Sequence, residues 1–342
     1  MTFAGVPAAA TVAVSAFVSS LLLTRQAIAY ARRRGMLDQP GFRRSHTIPT
    51  PRGGGIGLVL ASLLLMAVTL PFGRAAWDVW TVAAACTGGA LVATVGWIDD
   101  HRGLGVIPRL LAQLLAGALL MSALSHATGL AWYWVPVGVL VAAWSINLHN
   151  FMDGIDALLG LQLVFVGLSL AWLALVLGQA ALGYAALALA AAAAGFLVFN
   201  WPPARIFMGD VGSGCGGFLI FALAAMLCAR VPLALWPALI LCSGFAIDAG
   251  LTLAWRMWRG KRWYSPHREH LYQWLARSGY GHMQTGFIYM AWNLLLTVPL
   301  AVLAVRVPVA APWVCVMVYG IGACAWWQGR RICIARGARH AA

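Results

Sequence analysis

Charge is what this chain has least of. Of 342 residues only 9% are Asp, Glu, Lys or Arg, against 62% hydrophobic side chains. So little charge excludes intrinsic disorder and a cytosolic enzyme. The cysteines offer no chemistry either. All seven (Cys86, Cys215, Cys228, Cys242, Cys315, Cys324, Cys333) lie mostly in apolar runs, and no two form a C-x-x-C pair. They read as small core side chains, which removes a secreted disulfide scaffold and a zinc site. The segments of about ten alternating residues that mark a membrane β-barrel are also missing; the run 180–199 is apolar on every face. A net charge of +14 could pass for a nucleic-acid footprint, but no aromatic platform is interleaved with the basic residues. They cluster between apolar runs, as cytoplasmic loops require.

What is present is apolar chain in lengths that span a bilayer. The expectation is an all-α polytopic integral membrane protein of about 10–11 transmembrane helices, built as one multi-span domain over 1–342. The runs fall near 6–29, 53–72, 77–97, 106–126, 131–149, 157–178, 180–199, 214–230, 234–255, 284–306 and 308–328. The first run has no basic stretch before it and Arg25, Arg32, Arg33 and Arg34 after it, which predicts a retained helix entering from outside. The C-terminus is then cytoplasmic, and only Arg74, Arg230 and Arg306 fall on the outer connections.

The nine acidic residues are few enough to name: Asp38, Asp78, Asp99, Asp100, Asp153, Asp156, Asp210, Asp248 and Glu269. Asp99, Asp153 and Asp210 follow one another at 54 and 57 positions, with two predicted spans in each interval. An even number of crossings returns every cluster to the same face, so the carboxylates can share one site. Carboxylates, histidines and arginines converging at one membrane surface suit hard cations and phosphates.

Each cluster has its own chemistry. In G96-W-I-D-D-H-R, adjacent Asp99 and Asp100 repel, which raises one pKa and fits one of them as a proton acceptor. In N147-L-H-N-F-M-D-G-I-D156, Gly154 is expected to end the span and fold Asp156 back; Asn147, Asn150, Asp153 and Asp156 suit magnesium or a base edge equally, and the alternative is a plain helix cap. In N200-W-P-P-A-R-I-F-M-G-D-V-G-S-G, two prolines break the chain and Asp210 precedes a helix start whose amides would cradle an anion, with Arg205 adding charge. Asp248, inside a span, is either functional or paired. Asp38 could cap a short interfacial helix, and Asp78 is a structural outer charge. Trp132, Trp134, Trp326 and Trp327 are expected as interface anchors.

Taken in order, L37-D-Q-P, H46-T-I-P-T-P-R-G-G-G55, G96-W-I-D-D100, the two clusters above and S265-P-H-R-E-H-L-Y-Q273 resemble the polyprenyl-phosphate N-acetylhexosamine-1-phosphate transferases, from about residue 37 to 275. The resemblance implies a bacterial cytoplasmic-membrane enzyme using Mg2+, with Mn2+ as a substitute, to move a sugar phosphate from a UDP-N-acetylamino sugar to undecaprenyl phosphate, releasing UMP. Its active site would lie on cytoplasmic loops 31–52, 98–109, 147–157, 200–214 and 256–283. It implies Asp99 and Asp100 as catalytic, and Asp210 with Asn150 as metal ligands. Asn147, Asp153, Asp156, Arg205, His46, Arg52, His267, Arg268 and His270 would bind substrates. The partners are those two substrates and the lipid bilayer, with no nucleic acid, and a homodimer is an assembly it allows.

Two departures from the family pattern stand out. His267-Arg268-Glu269-His270 replaces a histidine-rich string, which resembles the branch initiating O-antigen and related surface polysaccharides and disfavours a peptidoglycan-type donor. Ala157 stands where a glycine commonly closes the motif, and is read as a packing change. The rival reading, a transporter or flippase of lipid-linked sugars, would put its polar residues near the midplane and show two related halves, and neither is visible.

Overall fold

The computed structural model describes residues 5–39, 49–72, 75–262 and 267–340, so His46 lies outside the described residues. Each expected crossing is helical. In chain order these are α1 (Gly5–Arg34), α2 (Gly55–Thr69), α3 (Val79–Arg102), α4 (Val106–Thr128), α5 (Trp134–Phe151), α6 (Leu158–Val176), α7 (Ala180–Asn200) and α8 (Asp210–Arg230). There follow α9 (Leu235–Leu241), α10 (Ser243–Trp258), α11 (Leu271–Leu275), α12 (Gly281–Ala291), α13 (Val298–Arg306) and α14 (Ala311–His340). A short ladder pairs β1 (Leu37–Asp38) with β2 (Thr50–Pro51), antiparallel, with Asp38 opposite Thr50. Asp38 therefore stands in a strand.

Among the described residues, eight helices are long and apolar enough to cross a bilayer, and nine if the bent α9–α10 pair counts as one. That is below the expected 10–11 for two reasons. Helix α2 is short at 15 residues, and α5 carries Asn147, His149 and Asn150 in its last turns. The segment 234–255, expected as one straight crossing, bends by 71° at Cys242. Trp292 Nε1 donates to Ser243 Oγ at 3.2 Å inside that elbow. The helix expected to start near 284 begins at Leu271, running through π-helical turns at Ala276–Tyr280 and Trp292–Thr297.

Helix α8 is the axis. Every residue from Val211 to Leu223 is buried, with α2, α3, α5 and α6 packed around it. In a bilayer apolar area gives little drive between helices, and close approach of small residues must supply the attraction. A Cβ on Gly55 or Gly212 would fall against the other's backbone, and one on Gly96 would meet the Asp210 carbonyl. These contacts fix the height of α2, α3 and α8 relative to one another, and with it the height of their polar ends.

Candidate active site

All the carboxyl-bearing ends of α3, α5 and α8 meet at one end of the bundle, around a cavity of about 600 Å³. Asp38, Asp100, Asp153, Asp156 and Asp210 form the acidic part of its lining, the acidic wall; Arg52, His267, Arg268, Arg277 and His282 form the basic part, the basic wall, with Arg52 close to Asp100 and His282 against Asp156.

On the acidic wall, the chain itself fills the α8 N-terminus. Gly209, at φ +76, turns the backbone so that the amides of Asp210 and Val211 donate to Asp100 Oδ1 and Oδ2, both at 3.1 Å. The amides expected to cradle a substrate anion thus hold Asp100, because a buried carboxylate at a helix N-terminus satisfies orphan donors and the helix dipole together. Asp99 takes the amide of Leu104 on Oδ1 and Arg109 Nη1 at 2.9 Å on Oδ2. Arg109 also reaches Asp210 Oδ2 at 3.4 Å. The Asp99 and Asp210 carboxylates lie within hydrogen-bonding reach of each other. Asn150 Nδ2 donates to Asp210 Oδ1 at 2.6 Å and to Ser213 Oγ at 3.0 Å. Asn147 does not line the main cavity; it exchanges hydrogen bonds with Gln113 on α4 and lines, with Asn150 and Asp210, a small separate cleft.

Beyond α5 the chain turns at Gly154, as expected. Asp156 Oδ2 accepts from the Ala204 amide at 3.1 Å, and His282 Nδ1 stands 3.3 Å from the same oxygen. Asn200 stitches this turn to the next loop, accepting from Ala157 N and donating to Ile206 O, each at 2.9 Å. Ala157 sits at φ +62, the left-handed region, so the glycine expected there answers a backbone need and not a packing one. Burial and the neighbouring charges of Asp210, Asp100 and Asp156 push the Asp153 carboxyl up to about 8. The wall is short of positive charge.

The basic wall is built differently. His267 and His270 have ring centroids 4.8 Å apart, and burial, followed by the charges of His270 and Arg256, pushes His267 down to about 4. It is a neutral hydrogen-bonding group at physiological pH. Arg277 lies over the Trp274 ring at 4.3 Å and donates to the Arg268 carbonyl at 2.6 Å.

Two expected substrate contacts are corrected. Arg205 is exposed and lies over the Phe199 ring at 5.3 Å, in an outer groove with Trp201, Pro202 and Pro203, because the proline turn carries it away from the cavity. His270 is 2% exposed and sits 4.0 Å from Asp248, behind His267, because it begins α11 and turns inward. Three residues that sequence reasoning passed over belong here: Arg109, Arg277 and His282. Arg109 stands in the first turn of α4 and reaches back to Asp99 across the short connection from α3. His282 follows Gly279 and Gly281, whose φ of +94 and +68 mark a break that the sequence pattern S-G-Y-G foreshadows.

Comparison with known proteins agrees with this geometry. Residues 82–228 match the model of glycosyl transferase family 4. The chain is 34% identical to a phospho-N-acetylmuramoyl-pentapeptide-transferase from Moorella thermoacetica, over 62% of this chain and 74% of that protein. It is 29% identical to a decaprenyl-phosphate N-acetylglucosaminephosphotransferase from Mycolicibacterium smegmatis (85% of this chain, 81% of the relative). The same identity holds with a probable undecaprenyl-phosphate N-acetylglucosaminyl 1-phosphate transferase from Bacillus subtilis, over 62% of each. The chain belongs to glycosyl transferase family 4, among the polyprenyl-phosphate hexosamine-1-phosphate transferases. It is a multi-pass membrane enzyme, which disposes of the transporter reading.

Proposed function

We propose that the enzyme transfers an N-acetylated amino-sugar 1-phosphate from a UDP-sugar to undecaprenyl phosphate and releases UMP, at the cytoplasmic face of a bacterial inner membrane. The observation that carries this reading is the meeting of Asp99 and Asn150 with Asp210, which itself lines a cavity shared with arginines and histidines. The relatives' names supply the polyprenyl phosphate and the amino sugar.

The donor set fits magnesium. Among the described residues no three His, Cys, Asp or Glu side chains converge to hold a metal unaided. Mg2+ prefers one or two carboxylates completed by substrate phosphates and water. Two carboxylates in mutual contact, beside an amide that presents its oxygen when rotated, are such a pair. Asp210 and Asp99 would hold the ion with Asn150 beside them, and the bound ion would neutralise charge on the donor pyrophosphate.

The chain's own residues then position the substrates. Arg52, Arg268 and Arg277 face the pyrophosphate, neutral His267 donates to it, and the Asp153–Asp156 turn faces the nucleotide. A narrow cleft of about 30 Å³, lined by Arg109, Gln113, Asn147 and Asn150, reaches Asp210 from between α3, α4 and α5. As it stands it has room for about one water, and it marks the side of Asp210 from which the lipid phosphate would approach. An oxygen of that phosphate attacks the sugar-linked phosphorus, a new P–O–P bond forms, and the bond to UMP breaks with its electron pair leaving on UMP. A phosphate monoester is largely ionised at neutral pH, so the step asks for alignment more than for a strong base. Asp100 is committed to the α8 amides and Asp99 would be committed to the ion, so the attack relies on the lipid phosphate already being ionised.

The loop His267-Arg268-Glu269-His270 supports assignment to the branch that initiates O-antigen and related surface polysaccharides. The test is UMP release by purified protein with Mg2+ and undecaprenyl phosphate across a panel of UDP-amino sugars. Release that depends on both lipid and metal is expected. Release without lipid, or from no donor at all, overturns the reading.

A further inference from the structure

We propose that Asp248, inside α10 and remote from the cavity, is a positioning residue for the donor: it sets the place of the basic wall and, through Tyr272, of the Asp153–Asp156 turn. The proposal rests on the donor reading above. Asp248 is 2% exposed and lines no part of the 600 Å³ cavity. A carboxylate so placed persists in a membrane helix only when well partnered, and here its partners come from three other elements. Oδ1 accepts from the Leu271 amide at 2.7 Å, from Trp326 Nε1 at 3.2 Å and from Thr252 Oγ1 at 3.2 Å. Oδ2 accepts from the Tyr289 hydroxyl at 2.6 Å and the Tyr272 amide at 3.2 Å. Trp326, expected as an interface anchor, is buried because it serves this hub.

The two amides are the first of α11, so Asp248 pins the chain directly after His267–His270. The next link is Tyr272. Its hydroxyl donates to the Phe151 carbonyl at 3.0 Å, and a Cβ on Gly154 would fall against that same oxygen. Gln273 Nε2 donates to it at 3.1 Å, and Gln273 lines the cavity. One unbroken set of contacts therefore joins α10, the basic loop and the acidic turn. On its other side Asp248 borders a largely apolar cavity of about 190 Å³, lined among others by Ile247, Leu271, Ile288 and Trp326.

The test is Asp248→Asn, which keeps one acceptor oxygen and turns an NH2 group toward N–H and O–H donors. Expected are a donor KM raised about tenfold or more with the lipid-acceptor KM changed less than about twofold, and faster amide hydrogen exchange at 150–157 as well as at 271–272. Tyr272→Phe keeps the bonds to Asp248 and removes only the hydroxyl's links, to Phe151 and to Gln273. It should speed exchange at 150–157, leave 271–272 as in the parent, and raise the donor KM by a smaller factor. A fall in kcat alone with both KM values unchanged, or unchanged exchange at 150–157, overturns the proposal. If Asp248→Asn cannot be recovered folded, Tyr272→Phe decides on the same readouts. If the parent protein accepts no UDP-sugar, the donor reading falls, and exchange at 150–157 still decides the relay.

Discussion

The two walls of the cavity are made by different means. The acidic wall stands on the ends of α3, α5 and α8, held by glycine backbones in contact and by backbone amides that grip Asp100. The basic wall, Arg52 apart, stands on a broken stretch of chain, held by hubs of side chains: Asp248 with its five donors, and Glu269 between Arg256, Lys261 and Arg330. Backbone contacts leave no freedom to adjust, whereas side-chain hubs can be rebuilt around a different loop. On the proposed reading, the rigid side would hold the metal and the adjustable side would meet the donor's pyrophosphate.

That contrast can be broken experimentally, beginning with its largest effect. Asp210→Asn removes the carboxylate shared by α8, Arg109 and Asn150, and UMP release is expected to fall at least about 1000-fold with the protein still folded in membranes. Parent-like turnover would remove Asp210 from the metal site. Gly212→Ala forces the α2 and α8 backbones apart and should cost about 1–3 kcal/mol, seen as a lower thermal midpoint in detergent. Gly279→Ala meets open space on the basic side and carries only the strain of its positive φ, about 1–2 kcal/mol. Equal losses of folded protein and of activity from the two changes would erase the distinction between the walls.

Smaller effects sharpen it. Ala157→Gly relieves the left-handed backbone and should stabilise the protein by up to about 1 kcal/mol, measured by the same thermal midpoint; a lower midpoint would show that the methyl group packs usefully. Asp153 provides the pH test. Its folded pKa lies near 8, above the ordinary carboxylate value, so the fold favours the protonated form and loses that contribution as pH rises from about 4 through 8. Without metal, Asp153→Asn should therefore melt higher than the parent at pH 8, by about 2–4 °C, and the gap should close at pH 4. Arg205→Ala, at the outer groove, should leave the donor KM within about twofold; a larger rise would return that arginine to the site.

Much of this was legible in the residues. Apolar runs of bilayer length announced the helices, since a backbone in hydrocarbon must satisfy its own hydrogen bonds. The spacing of Asp99, Asp153 and Asp210 told which ends would meet, because two crossings return the chain to the same side. Asp78 was legible as structural and indeed caps α3, accepting from the Thr81 amide at 3.0 Å. Other features were not, for identifiable reasons. The bend at Cys242 depends on Trp292, far along the chain. Arg205 and His270 share their motifs with residues that do line the cavity, and only the proline turn and the start of α11 decide which way each points.

The sequence by itself therefore determined the solvent, the number of polar ends and the face on which they gather, because hydropathy and crossing parity are properties of the chain read one segment at a time. Only the tertiary structure decided that Asp100 accepts from the first amides of α8, that Arg109 bridges two carboxylates, and that a buried aspartate in α10 holds the first amides of α11. Those outcomes depend on backbones brought to within a glycine's width of one another, a distance that no single segment encodes.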